Sequence, residues 1–366
     1  MIVGFHAPMP PAQTGVAGYA SALLAGLREH VKVKSGARQA DVHLYHLGNN
    51  QLHRDIYQRA LERPGVTVLH DAVLHHFYLG ALDKDAYIDE FVYNYGEWHR
   101  DLAVRLWTAR PRSAADERYF RYPMLRRIAE ASLALIVHNP AAVKMVLAHA
   151  PKASVHEVPH LWVEPPFSPP AKLARLRERL GIPPRSFVFA LLGHLRESKR
   201  VATVLRVFDK VRKQGLEATL LIAGEFVSTD LERSVAPWMG RPGIVRVGRT
   251  PDREFWQMAA ASDACINLRY PSVGETSGIT VGLMGLGKPV IVTESDEVSR
   301  FPRDACLQVA HGAAEHAELE HYMMLLCRSP LLAGEIGRRA AAYVAARHCI
   351  YTVAESYWEI LCKYGV

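Results

Sequence analysis

Short runs of uninterrupted apolar residues alternate along this chain with longer segments whose apolar positions recur every three or four residues. The runs at 66–69 (VTVL), 133–137, 187–192 (FVFALL) and 218–224 read as strands buried on both faces, because a parallel sheet covered by helices leaves no polar face to alternate with. Further strands are predicted at 1–6, 41–47, 155–159, 244–247, 265–268, 290–292 and 307–310. Between them lie helical patterns. Val16, Tyr19, Ala20, Leu23, Leu24 and Leu27 share one face of a helix over 16–27, and Val201, Val204, Leu205, Phe208 and Val211 share one over 201–213. Helices are also predicted at 53–61, 85–109, 119–131, 173–180 and 252–261 and through most of 313–364, with Trp98 and Trp107 read either as core, the preferred reading, or as a ligand-side surface. Strands alternating with helices define an α/β protein with parallel, doubly wound sheets. At 366 residues the chain exceeds one typical core, so two domains are expected. The four prolines of 163–172 (VEPPFSPPAK) make a stiff segment unfit for a sheet interior, and this linker divides the chain into 1–165 and 166–346.

The stretch 265–293 (CINLRYPSVGETSGITVGLMGLGKPVIVT) carries the densest chemistry. It parses as a strand, a polar loop over 269–275, a helix to about Leu286 and a second strand. Thr276 and Ser277 are N-cap candidates, Gly287 suits the left-handed residue after a helix, and Pro289 forbids continuation. The first turn of such a helix presents unpaired N–H groups and the positive end of a dipole, which suits a phosphate. Gly278 keeps side-chain bulk away from that point, and Glu275 offers a carboxylate to sugar hydroxyls beside it. Residues 282–288 (GLMGLGK) imitate a P-loop, but Pro289 stands where Ser or Thr is required and the glycines end a helix instead of opening one. Gly282, Gly285 and Gly287 are therefore read as helix–strand packing positions.

Other polar groups fall at the carboxyl ends of predicted strands, where open α/β sheets bind ligands. The loop 193–200 (GHLRESKR) follows the 187–192 strand and sets Arg196 and Lys199 there, two cations able to neutralise a diphosphate leaving group. His70-Asp71 follows the 66–69 strand; the imidazole can bind hydroxyls and move protons, while Asp71 either orients it or caps the next helix. His138-Asn139 ends the 133–137 strand, and Gly15 lies at the start of the first helix. His75 and His76 are assigned to helix surface or packing. Asp83-Lys84-Asp85 has metal-site spacing but sits in a turn before a helix, so no metal ligand is assigned.

Residues 269–292 (RYPSVGETSGITVGLMGLGKPVIV) resemble the signature of the retaining family-four glycosyltransferases, whose fold is GT-B: two doubly wound Rossmann-like domains facing across a cleft. Residues 193–200 resemble that family's glycine–arginine–three–lysine loop, with Lys199 at the lysine, His194 where the arginine usually stands and Arg196 as its substitute. The resemblance implies a nucleotide-diphosphate sugar donor held by the second domain and an acceptor hydroxyl held by the first. Glu275, Arg196 and Lys199 are the implied catalytic groups, and His70 joins them on its place at the carboxyl end of a strand. Gly15, Arg249, Thr276, Ser277, Gly278 and Ile279 join Arg196, Lys199 and Glu275 around the donor, with Arg249 at the base. His70, Asp71 and His138 face the acceptor. A terminal helix at about 347–366 is implied to return to the first domain. The family's second glutamate, eight positions after the first and the usual ribose anchor, is replaced by Leu283. No metal or other cofactor is implied. Two rival readings share this architecture: a sugar-nucleotide epimerase, and a non-catalytic sugar-nucleotide-binding protein made plausible by Leu283.

Composition adjusts the picture little. Apolar content of 49% and charged content of 22% are ordinary for a soluble protein, and no apolar run reaches membrane-spanning length. The five scattered cysteines read as reduced, buried thiols, and MIVGFHAPMP reads as a strand and loop, not a signal peptide, so the cytoplasm is the expected location. The net charge of +7 is spread among acidic neighbours, with no nucleic-acid motif. It favours anionic partners, among them the inner face of a membrane carrying a lipid-linked acceptor; a glycan or small glycoside would serve equally, in polysaccharide or glycoconjugate synthesis.

Overall fold

The computed structural model describes residues 1–12 and 14–365. Gln13, at the end of the proline-rich loop before the first helix, and Val366, in the segment assigned to the terminal helix, lie outside the described residues. Among the described residues twelve strands form two six-stranded, wholly parallel sheets within two compact units. One unit comprises Met1–Leu161, Pro271–Thr276 and Arg347–Val366, the other Trp162–Tyr270 and Ser277–Ala346.

The first unit's strands are β1 (Ile2–His6), β2 (Lys32–Ser35), β3 (Val42–Leu47), β4 (Val66–Leu69), β5 (Ala134–Val137) and β6 (Val155–Glu157), in the order β2-β1-β3-β4-β5-β6. Helices Gly15–Arg28 and Ile350–Tyr364 cover one face, packing Tyr19, Leu23 and Leu27 with Val353, Ala354 and Tyr357. The other face buries Tyr45, Tyr87, Phe91 and Tyr119 beneath the helices of 75–131. The second unit holds β7 (Phe187–Leu192), β8 (Ala218–Ala223), β9 (Ile244–Val247), β10 (Ala264–Asn267), β11 (Val290–Thr293) and β12 (Leu307–Val309), in the order β12-β11-β10-β7-β8-β9. Alternate residues of β7 enter opposite cores: Phe189 and Leu191 pack with Phe208 and Ile266, and Val188 and Ala190 with Cys265 and Val290. That explains why the whole run is apolar.

Several predicted elements differ. The 85–109 helix is two, Lys84–Tyr95 and Arg100–Ala109, because Gly96 adopts φ +89° and turns the chain. Trp98 stands on that turn 99% exposed, not in the core, whereas Trp107 is half-buried against Tyr87. Pro123 and Met124 (φ +57°) likewise split 119–131 into Arg118–Arg121 and Arg126–Ala131. Edge strand β2 (KVKS) escaped prediction because it has no apolar run; lysines on an edge discourage pairing with other chains. Of the five thiols, Cys265 and Cys306 are buried and Cys362 is exposed, so burial holds for only part of the set. Among the described residues no helix is long and apolar enough to cross a membrane.

Candidate functional site

In the second unit the carboxyl ends of the neighbouring strands β7 and β10 bring basic side chains to one place. Gly193 follows β7 with φ +92°, and a Cβ there would lie 2.7 Å from Ile279 Cδ1 and 3.1 Å from Lys199 Nζ. The lysine and the first turn of helix Gly278–Gly285 therefore meet over this glycine. Lys199 is 4% exposed and its ammonium donates to the Leu192 carbonyl. Burial, and then the charges of Arg269 and Arg196, hold it well below the usual lysine range. Exposed His194 is also pushed down, by partial burial and then by Arg196, Lys199 and Arg249. Four cations thus act on one small region. The loop is held by Arg200, which adopts φ +56° and pairs through two nitrogens, at 3.0 and 2.5 Å, with the buried carboxylate of Glu315.

Ser277 caps the helix, its Oγ accepting from Thr280 N at 3.2 Å. Asn267 Nδ2, at the end of β10, lies 2.9 Å from the same oxygen, and Arg269 Nη2 lies 3.1 Å from it. With its acceptor capacity taken by these N–H groups, the hydroxyl hydrogen of Ser277 is left to donate. Because Ser277 takes the Thr280 amide, the N–H groups of Gly278 and Ile279 are the ones that open the helix, and Gly278 is exposed. Arg269 and Asn267 were not assigned from sequence. Their signal is a polar pair bracketing the end of an otherwise apolar strand. Arg249 is exposed in the loop after β9. Leu283 is 1% exposed in the core and Gly282 lies under the Trp256 ring, so the position of the missing glutamate faces packing, not a ligand. Gly285 lies likewise under Trp162, and Gly287 takes φ +73°.

In the first unit, histidines line the carboxyl edge of the sheet. His6 ends β1, His46 lies near the end of β3, His70 and His138 directly follow β4 and β5, and His160 lies just past β6. His70 Nε2 is hydrogen-bonded to His46 Nδ1 at 3.0 Å, and Tyr19 stands edge-on to His70 with its hydroxyl 2.8 Å from that of Tyr357. His138 Nδ1–H donates to the Val158 carbonyl at 2.9 Å, which leaves Nε2 as a bare acceptor with no partner. Burial pushes His138 down to about 4, and holds His70 well below the ordinary value, with His46 and His138 adding to the effect. These imidazoles are neutral near pH 7. Asp71 does not cap the following helix, which starts at His75; its carboxylate accepts from Asn49 N at 2.7 Å. His75 is fully buried between Tyr87 OH and the Tyr122 carbonyl. Gly15 is the first residue of its helix, with open space where a Cβ would stand.

The loop 271–276 belongs to this same unit. Glu275 is half-buried, its carboxylate accepting from Val273 N at 2.9 Å and from Ser272 Oγ at 3.3 Å. Thr276 is not the cap; its hydroxyl donates to the His138 carbonyl at 3.0 Å.

Two parallel, doubly wound units of this topology define the GT-B fold, and solved structures agree. HepE from Anabaena, solved in complex with UDP and glucose, superposes with a TM-score of 0.68 at 14% identity, covering 99% of this chain and 100% of that one. Sucrose-phosphate synthase from Thermosynechococcus elongatus gives 0.69 at 14% identity over 99% and 98% of the two chains. WaaG, a glycosyltransferase involved in lipopolysaccharide biosynthesis, gives 0.61 at 12% identity over 99% of each. No protein-family model and no curated protein matches the chain.

Proposed function

We propose that this chain is a retaining glycosyltransferase, moving a sugar from a nucleotide-diphosphate donor to an acceptor hydroxyl. The observation that carries the proposal is the meeting of Lys199 and the start of helix Gly278–Gly285 over Gly193, with Arg269 joined to Ser277. A buried lysine held below its usual range, beside other cations and helix amides, is a site short of an anion. A diphosphate supplies it. As the glycosidic bond breaks, Lys199, Arg196, Arg269 and the amides of Gly278 and Ile279 stabilise charge on the leaving group, and no metal is needed to offset it. Glu275 orients the donor sugar and Arg249 meets the base. The neutral imidazoles of His70 and His138 suit uncharged acceptor hydroxyls better than anionic groups. The fold neighbour solved with UDP and glucose supports a nucleotide-sugar donor.

The experiment is transfer from UDP-glucose, UDP-N-acetylglucosamine and GDP-mannose to a panel of glycans, lipid-linked sugars and small glycosides. Glu275→Ala lowers turnover by at least tenfold while nucleoside diphosphate affinity stays within about twofold. Activity survives a chelator. Turnover that depends on added metal contradicts metal independence, and interconversion of free nucleotide sugars without acceptor identifies an epimerase. A second reading, a non-catalytic binder, is favoured by the buried Leu283; tight nucleotide-sugar binding with no transfer across the panel would select it.

A further inference from the structure

The loop that carries Glu275 is fixed by one buried side chain. Asn139, 1% exposed, caps helix Pro140–His149 by accepting from Ala142 N at 2.9 Å. Its amide nitrogen donates at 3.0 Å to the Gly274 carbonyl and at 3.1 Å to Thr276 Oγ1. Thr276 in turn donates to the His138 carbonyl. The acceptor capacity used by the cap and both amide hydrogens are thereby committed, and they grip the two residues on either side of Glu275. Gly274 adds shape to the grip: it takes φ +69°, and a Cβ there would come within 2.8 Å of Ala72 Cβ and 2.9 Å of Met145 Sδ.

We infer that Asn139, acting with Thr276, is a positioning residue that sets the orientation of Glu275 toward the donor sugar. A helix cap alone needs only the Oδ1 of Asn139, and Asp or Ser would serve it equally. The amide nitrogen is surplus to the cap, and both of its hydrogens go to the Glu275 loop. An acidic side chain between two anchored neighbours loses little freedom on binding, which favours a defined hydroxyl geometry. The inference rests on the reading of Glu275 as the donor-sugar ligand.

The test uses the full chain and the three nucleotide sugars above, with UDP and GDP as controls lacking the sugar. Asn139→Asp keeps an oxygen for Ala142 N but turns an acceptor toward the Gly274 carbonyl. Thr276→Val removes the hydroxyl at nearly constant shape, and Thr276→Ser restores it. The expected result is a fall in kcat on the order of tenfold to a hundredfold for Asn139→Asp and Thr276→Val. Nucleoside diphosphate affinity stays unchanged and Thr276→Ser stays close to the native protein. Asn139→Asp adds nothing further in a Glu275→Ala background, since the two act on one group. Hydrogen exchange of residues 271–276 rises in both impaired variants. Full turnover in Asn139→Asp and Thr276→Val beside an impaired Glu275→Ala overturns the inference, as does a Thr276→Ser defect equal to that of Thr276→Val. A fully active Glu275→Ala, or no binding of any of the three donors, overturns instead the donor-sugar reading on which it rests.

Discussion

In the proposed reaction Lys199 carries the leaving-group charge, and its amine is buried among other basic groups. Burial and the nearby Arg269 and Arg196 depress its affinity for a proton. A bound diphosphate reverses that balance, since an opposite charge within hydrogen-bonding distance favours the protonated amine. Binding therefore takes up a proton wherever the pH lies between the free and the bound values, and affinity weakens as the pH rises through that window. Calorimetric titration of UDP in two buffers of different ionisation enthalpy reads the uptake directly. It should appear in the native protein and vanish in Lys199→Met, and equal heats in both buffers would show that Lys199 is not the phosphate ligand. Lys199 could be singled out in the sequence because it lies in the loop after an apolar strand, at the lysine of a segment resembling the glycine–arginine–three–lysine motif. Asn139 was less visible, because Asn before Pro already has a complete explanation as a cap. Its second role depends on a residue 135 positions away in the chain, which no local pattern encodes.

At the scale of elements, the strands and helices that a buried parallel sheet demands were plain in the apolar runs, and β7, β8 and helix Val201–Lys213 fall at their predicted places or within a residue of them. Misjudged elements share one cause. Where a single residue changes backbone direction, as at Gly96 or Met124, the apolar period continues across the break and hides it. β2 has the opposite problem, a real strand with no apolar signature because it lies at an edge. The helix Gly278–Gly285 was found through its glycines and its proline stop, but its cap was assigned jointly to Thr276 and Ser277. The structure separates them: Ser277 serves the helix and Thr276 serves the loop anchored by Asn139. Two adjacent hydroxyls with different partners cannot be told apart by propensity alone.

At the scale of the whole molecule, a fold shared at 12–14% identity shows how few positions its architecture requires. In the first unit the sheet edge carries a row of histidines, with buried His6 and His138 pushed down to about 4 and half-buried His160 to about 3, chiefly by loss of hydration. A group whose folded value lies below its unfolded value of about 6.5 leaves the unfolded chain holding more protons in between, so stability is lost as the pH falls through that range. Each such histidine contributes a slope of up to about 1.4 kcal/mol per pH unit. The melting temperature should therefore drop steadily from about pH 6.5 to about pH 4, and His138→Asn should flatten the decline. A flat profile across that interval would mean that these imidazoles titrate normally. The central claim is that Arg196, Lys199 and the amides beside Ser277 hold one pyrophosphate. The most direct measurement of it is the affinity of UDP, ADP and GDP, each against its nucleoside, for the native chain and for Arg196→Ala and Lys199→Ala. The account predicts that at least one diphosphate binds far more tightly than its nucleoside and that each substitution removes about tenfold to a hundredfold of that preference. A preference that survives both substitutions, or none in the native chain, contradicts it.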